Sequence, residues 1–194
     1  MIQTHAMLLE QLSDYRAPAN KLARMVKAGQ IFPLVKGLYE TDRATSPYLL
    51  AGSIYGPSYI SFQFALSWHG LIPERVSAIT CATFEKKKKK EYETPFGRFT
   101  YRDVPTAAFP LGIDVCKEGD YSFRMACPEK ALCDQLYTLP PVTSQRALLP
   151  LIFDHLRIDK SDFEKLDAQK IHSFKNKYRC TNVKLLDQCL RRLP

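Results

Sequence analysis

Residues 18–39, PANKLARMVKAGQIFPLVKGLY, constrain the chain more than any other stretch. Pro18 suits the first position of a helix, where its missing N–H costs nothing. Ala19, Leu22, Ala23 and Val26 recur at helical spacing and predict one apolar face, with Asn20, Lys21, Arg24 and Lys27 on the other. Gly29 is the expected helix stop. Ile31, Phe32, Leu34 and Val35, then Lys36 and Gly37, then Leu38 and Tyr39 predict a short hairpin with glycine at its turn. A cationic helix running straight into a hairpin is the order of a recognition helix and its wing.

Upstream, Ile2, Ala6, Leu9 and Leu12 form an apolar stripe that predicts a first helix over 2–13. Residues 14–17 are a tight connection, and Pro18 drives Ala17 out of the helical region. A full helix-turn-helix places another helix before the recognition helix. Only four residues stand here, so the unit is abbreviated or completed by an element from elsewhere in the chain. The reading is a winged-helix DNA binder, with Arg16, Asn20, Lys21, Arg24, Lys27 and Lys36 as the DNA-binding residues. Asn20 has the chemistry for adenine and Arg24 for guanine in a major groove. The competing reading is a charged helix face that does nothing but meet water.

Charge supports a polyanionic partner only in part. The formal net charge is +8, but residues 165–194 hold eight Lys/Arg against two acids, whereas residues 1–45 hold six against four. If nucleic acid is bound, the basic C-terminal segment is expected to add as much attraction as the N-terminal one. No apolar run approaches the roughly 20 residues that span a bilayer, and the N-terminus lacks the pattern of a secretory signal. A cytoplasmic location is expected. The six cysteines are scattered without a C-x-x-C pair, so they read as free thiols acting as small hydrophobes, with no metal and no cofactor expected.

At 194 residues the chain divides on this reading into a winged-helix domain, 1–45, and an α+β domain, 46–194, a small sheet flanked by helices. Residues 41–46 are the polar boundary. Helices are predicted over 47–55, over 62–69 with Ser61 as N-cap and Gly70 as stop, and over 128–137 with Ala131, Leu132 and Leu136 inward. Further helices are expected over 146–154, 160–166 and 181–190. Strands are predicted over 76–84, 96–104 and 121–126, the second with Phe99 and Tyr101 on one face. The lysine run 86–90 would tip a strand-joining loop, mobile through self-repulsion and partly neutralised by Glu85, Glu91 and Glu93. Its role and that of the basic C-terminal segment stay open.

Catalysis finds little support. The four histidines are far apart, and His69 reads as a structural residue. There is no Walker or Rossmann glycine loop and no G-x-S-x-G elbow. Lys130 and Asp134, four apart, read as an intrahelical pair. The expectation is a protein that is not an enzyme; nucleic-acid processing is the remote alternative.

Three stretches together resemble the AbiEi family of antitoxins and transcriptional regulators of bacterial phage-defence loci: K-L-A-R-M-V-K-A-G-Q-I and K-G-L-Y within 18–39, Y-I-S-F-Q-F-A-L-S-W-H-G-L at 59–71, and M-A-C-P-E-K-A-L-C-D at 125–134. The resemblance spans about residues 1–137. It implies an N-terminal winged helix and an antitoxin domain, repression of the protein's own promoter through inverted repeats in double-stranded DNA, with a homodimer on DNA as the candidate assembly. It also implies type IV neutralisation of a nucleotidyltransferase-like toxin without a stable complex. Carried onto this chain, Lys21, Arg24 and Lys27 face DNA from the helix and Lys36 from the wing. The alternative is a winged-helix protein-interaction module without sequence-specific DNA binding.

Overall fold

The computed structural model describes residues 1–191 and is α+β. Its N-terminal unit contains strand β1 (Ile2–Thr4), helices α1 (His5–Gln11) and α2 (Pro18–Lys27), and the hairpin β2 (Phe32–Val35) and β3 (Leu38–Glu40). The three strands form an antiparallel sheet in the order β1-β3-β2. The helix expected over 2–13 is thus part strand. The Thr4 hydroxyl accepts the Met7 N–H at 3.3 Å and caps α1, while residues 2–4 pair with β3. A terminal segment with an open sheet edge beside it gains ladder hydrogen bonds that a first helical turn lacks. The turn between α1 and α2 holds no further helix.

Residues 46–191 build a six-stranded sheet in the order β6-β7-β5-β4-β9-β8, larger than the small sheet expected. Its strands are β4 (Tyr59–Ile60), β5 (Ile79–Thr83), β6 (Lys90–Thr94), β7 (Gly97–Asp103), β8 (Ile113–Glu118) and β9 (Tyr121–Ala126). The β4–β9 and β5–β7 pairs are parallel and the others antiparallel. The three predicted strands are β5, β7 and β9. The missed ones have weak patterns: β4 is two residues long, and β6 (KEYET) and β8 (IDVCKE) are edge strands rich in charge.

Helices α3 (Pro47–Ile54), α4 (Phe62–Trp68) and α5 (Pro128–Thr138) pack on this sheet. Next come α6 (Gln145–Pro150), continued by a π-helical segment, Leu151–His155, then α7 (Lys160–Glu164), α8 (Ala168–Tyr178) and α9 (Thr181–Leu190). Both α8 and α9 pack against α5. Asn182, fully buried, accepts the Val142 N–H at 2.9 Å and donates to the Leu136 and Pro140 carbonyls at 3.1 and 3.0 Å, pinning the start of α9 to the end of α5.

Every residue of 129–136 is buried, so α5 is enclosed on all sides. The expected Lys130–Asp134 pair is present at 3.0 Å, and both side chains are 0% exposed. The Lys130 ammonium has three protons and three acceptors: Asp134 Oδ1, the Ala108 carbonyl at 2.8 Å and the Tyr178 hydroxyl at 2.6 Å. Asp134 Oδ1 also accepts from Tyr178 at 2.6 Å, and Oδ2 accepts from Tyr59 at 2.9 Å and Ser61 at 2.7 Å. Burial, and then the Asp134 charge, push both phenols well above the usual tyrosine range, so they remain donors. Ser61 therefore does not cap α4 with its side chain, as expected from sequence; its hydroxyl is spent on Asp134.

Gly112 lets this cluster close. A Cβ there would meet Lys130 Cβ at 2.9 Å and Phe174 Cζ at 2.8 Å, at a φ of +60°. Gly112→Ala is expected to destabilise the fold by about 2–4 kcal/mol through overpacking and backbone strain. Asp134→Ala is expected to cost about 3–5 kcal/mol, because it leaves a buried ammonium unpaired, whereas Lys130→Met/Asp134→Leu should cost far less. Urea unfolding of the three variants checks both expectations.

Candidate nucleic-acid interface

Helix α2 is seated by Leu22, which is buried with Leu8, Leu12 and Ile31 in a small core of its own, flanked by Leu9, Met25, Val26 and Tyr39. The buried face is therefore Leu22, Met25 and Val26. Ala19 and Ala23, expected inward, are exposed. The inward positions go to the larger side chains because they remove more apolar area from water. This leaves Ala19 and Ala23 among the cations on the outer face.

Asn20, Arg24 and Lys27 are exposed on that face, and Arg16 is exposed just ahead of the helix. Lys21 is half-buried, with its ammonium 4.9 Å from the centre of the Tyr15 ring. Lys36 is exposed on the hairpin tip, not on the helix. The tip is fixed from both sides: Gly37 takes a φ of +81°, and its carbonyl accepts the His5 N–H at 2.9 Å. Among the described residues, Arg16, Arg24, Lys27 and Lys36 form no ion pair. Arg24 and Lys27 lie in the last turn of α2, where the helix dipole favours cations.

The hairpin anchors this unit to the large sheet. Leu34 belongs to the main core, with Ile2, Val35 and Leu38 packed on it. Phe32 meets Phe96, at the β6–β7 turn, edge-on at 5.8 Å, and the Arg43 guanidinium lies over both rings at 5.6 and 5.2 Å. None of these contacts covers the cationic face of α2.

The basic C-terminal segment is less available than its charge suggested. Lys165 pairs with Asp162 at 2.8 Å, Lys170 with Glu129 at 3.5 Å, and Lys175 and Arg191 with Asp187 at 2.7 and 3.2 Å. Lys177, Arg179 and Lys184 remain exposed. Burial alone would raise the Asp187 carboxyl, but Lys175, His172 and Arg191 together hold it below the usual carboxylate range. Arg192 lies outside the described residues.

The lysine run also differs from expectation. The 84–89 loop does join strands, β5 to β6, but it is held. The Lys87 N–H donates to Asp103 Oδ2 at 2.6 Å, and Thr83 donates to Oδ1 at 2.7 Å. Lys86 donates to the Gly56 carbonyl at 3.0 Å and lies over the Tyr55 ring at 5.2 Å. The expected neutralisation by glutamates is absent. Glu91 and Glu93 pair with Arg98, and Glu85 accepts from Thr106.

Elsewhere, the His69 Nε2–H donates to one backbone partner, the Ala126 carbonyl at 2.8 Å, in line with a structural role. Among the described residues no three His, Cys, Asp or Glu side chains gather as metal ligands, and no helix is long and apolar enough to cross a membrane. The Lys130–Asp134 cluster, which sequence reading missed as a network, is sealed from solvent. Its one signal was the apolar residues on every side of the pair, Ala131, Leu132, Cys133 and Leu136. No family model matches the chain, and no curated protein sequence matches it.

Arg24→Ala and Lys27→Ala should each change stability by no more than about 0.5 kcal/mol, whereas Leu22→Ala should cost about 2–5 kcal/mol; thermal melts compare them. Asp187 adds stability above its ordinary pKa of 3.8, because the unfolded chain takes up the proton first as pH falls. That stability is lost as pH drops through the lower native value. The urea midpoint should fall on acidification across this range, and less so in Asp187→Asn.

Proposed function

We propose that this protein is a DNA-binding transcriptional regulator that represses its own promoter and serves as an antitoxin of the AbiEi type, not an enzyme, in the cytoplasm. The observation that carries the reading is the outer face of α2: Asn20, Arg24 and Lys27 exposed, with Arg16 just ahead, and the three cations without an ion pair among the described residues. A three-stranded sheet with a rigid hairpin tip beside two helices supports a winged-helix unit.

On this reading α2 enters the major groove. Asn20 offers a bidentate pair to adenine and Arg24 to guanine, each worth about 1–3 kcal/mol of discrimination. Ala23, between them on the surface, keeps the helix close to the base edges and suits a thymine methyl. Arg16, Lys21 and Lys27 take phosphates, and Lys36 takes one from the wing. Charged contacts of this kind set position and salt dependence, whereas base contacts set sequence. The antitoxin role rests on the resemblance of 18–39, 59–71 and 125–134, and its partner would be a nucleotidyltransferase-like toxin encoded nearby.

A second reading, a protein-binding module, is favoured by one feature. Trp68 is 48% exposed at the edge of a ring cluster with Tyr48, Phe64 and Phe123.

Fluorescence anisotropy with the gene's own upstream duplex tests the regulator reading. Lys21→Ala/Arg24→Ala/Lys27→Ala should weaken binding by about 100-fold or more at moderate salt. Removing each cation that neutralises a phosphate should reduce the slope of log affinity against log salt by about 0.9. Equal affinity of variant and wild type would overturn the reading. Association with a protein partner that persists in high salt and needs Trp68 would establish the second one.

A further inference from the structure

The held lysine loop borders a concavity of about 410 Å³ at the other end of the β6–β7 hairpin from the N-terminal unit. Lys87, Lys88, Lys89, Arg102, Asp103, Tyr137 and Thr138 line it. The five residues of β6 separate the lysine end from the turn where Phe96 meets Phe32, about 15 Å of strand. This surface is therefore distinct from the α2 face.

Three features set it apart from an ordinary solvated lysine run. First, its positive charge is in excess. Lys87, Lys88, Lys89 and Arg102 are exposed and form no ion pair among the described residues, and the nearby glutamates pair with Arg98 or bond to Thr106. Asp103 is the single acid in the lining, and its two oxygens are occupied by Thr83 and by the Lys87 backbone. Four cations gathered around the one carboxylate of Asp103 leave an excess of positive charge, and a bound polyanion offsets their mutual repulsion. Second, the loop is organised at a cost. Glu85 and Lys87 adopt left-handed conformations, φ +56° and +57°, which side-chain-bearing residues rarely take. Third, the lining includes an aromatic ring. Tyr137 is 38% exposed at the end of α5, with its ring fixed against Tyr178 at 6.1 Å.

We propose that this concavity binds a nucleoside di- or triphosphate, with Lys87, Lys88, Lys89 and Arg102 on the phosphates and Tyr137 against the base. The volume falls within the range of small-ligand sites. The cations converge from one loop and one strand onto a single hollow, which fits a compact polyphosphate better than a strand tracked along a groove. Arg102 supplies the planar fork suited to phosphate, and the lysines supply point charges. The proposal is independent of DNA binding by α2.

Isothermal titration of the full chain with ATP, and separately with inorganic tripolyphosphate, tests it. Wild type should bind one ATP saturably. Lys88→Ala/Lys89→Ala and Arg102→Ala should each weaken both ligands by about tenfold or more. Tyr137→Leu should weaken ATP by about tenfold and leave tripolyphosphate unchanged, the signature of a stacked base. Asp103→Ala separates an organised site from bulk charge. Removing an acid should tighten binding if only net charge matters, and weaken it if the loop must be held. Lys21→Ala/Arg24→Ala/Lys27→Ala should leave ATP affinity unaltered even if that variant no longer binds DNA. The proposal is overturned by absence of saturable ATP binding, by wild-type affinity in the lysine and arginine variants, or by tighter binding in Asp103→Ala. It is equally overturned if this surface binds a single-stranded or duplex oligonucleotide that ATP does not displace.

Discussion

One buried ion pair and the groups that satisfy it fix how the elements around the large sheet meet. Lys130 and Asp134 sit one turn apart on α5 with no exposure to solvent. Placing two charges in such a position is unfavourable unless every proton and lone pair finds a partner. Here each partner comes from a different part of the chain: Tyr59 from β4, Ser61 from the entry to α4, Ala108 from the loop after β7, and Tyr178 from the end of α8. The pair thereby specifies how α5, the central strands and the C-terminal helices meet. A consequence is visible at Phe62, whose φ of +55° is unusual for an aromatic residue. Ser61 is bonded to Asp134 through its hydroxyl and to Thr80 through its N–H and carbonyl, so the chain must turn sharply to begin α4.

The N-terminal unit is organised on a different principle. Its own core consists of four buried side chains, Leu8, Leu12, Leu22 and Ile31, worth about 1.5–3 kcal/mol each. That is too little to order such a segment alone. The hairpin supplies the remainder by placing Leu34 in the main core and Phe32 against Phe96. Docking through the hairpin rather than through α2 leaves the outer face of the helix uncovered. The same arrangement that stabilises the unit thus keeps its cations accessible.

Charge count and charge availability diverge across the chain. The C-terminal segment carries most of the excess positive charge, yet Lys165, Lys170, Lys175 and Arg191 are engaged with acids of the fold. The lysine run, read from sequence as mobile and partly neutralised, is anchored by Asp103 and receives nothing from the glutamates beside it. Some of the partners are local, as Asp162 is to Lys165 and Asp187 to Arg191, but Glu129, Asp103 and Arg98 are distant in sequence or lie on a neighbouring strand. A linear count of charges has no access to the distant ones.

Local chemistry was enough to locate α2, the hairpin, α5, α9 and the strands β5, β7 and β9. Proline at helix starts, glycine at the turn and alternating or helical apolar spacing act within a few residues, and those signals are written in the chain itself. The same spacing identified Lys130 and Asp134 as an intrahelical pair. What only the folded molecule decided was burial and partnership. It determined that 2–4 join a sheet edge, that Ala19 and Ala23 face water, and that Ser61 serves Asp134 rather than α4. It also determined that four cations at 87–89 and 102 share one hollow. Each of these depends on which surfaces compete for contact once distant segments meet, and that competition is resolved by packing and desolvation in three dimensions.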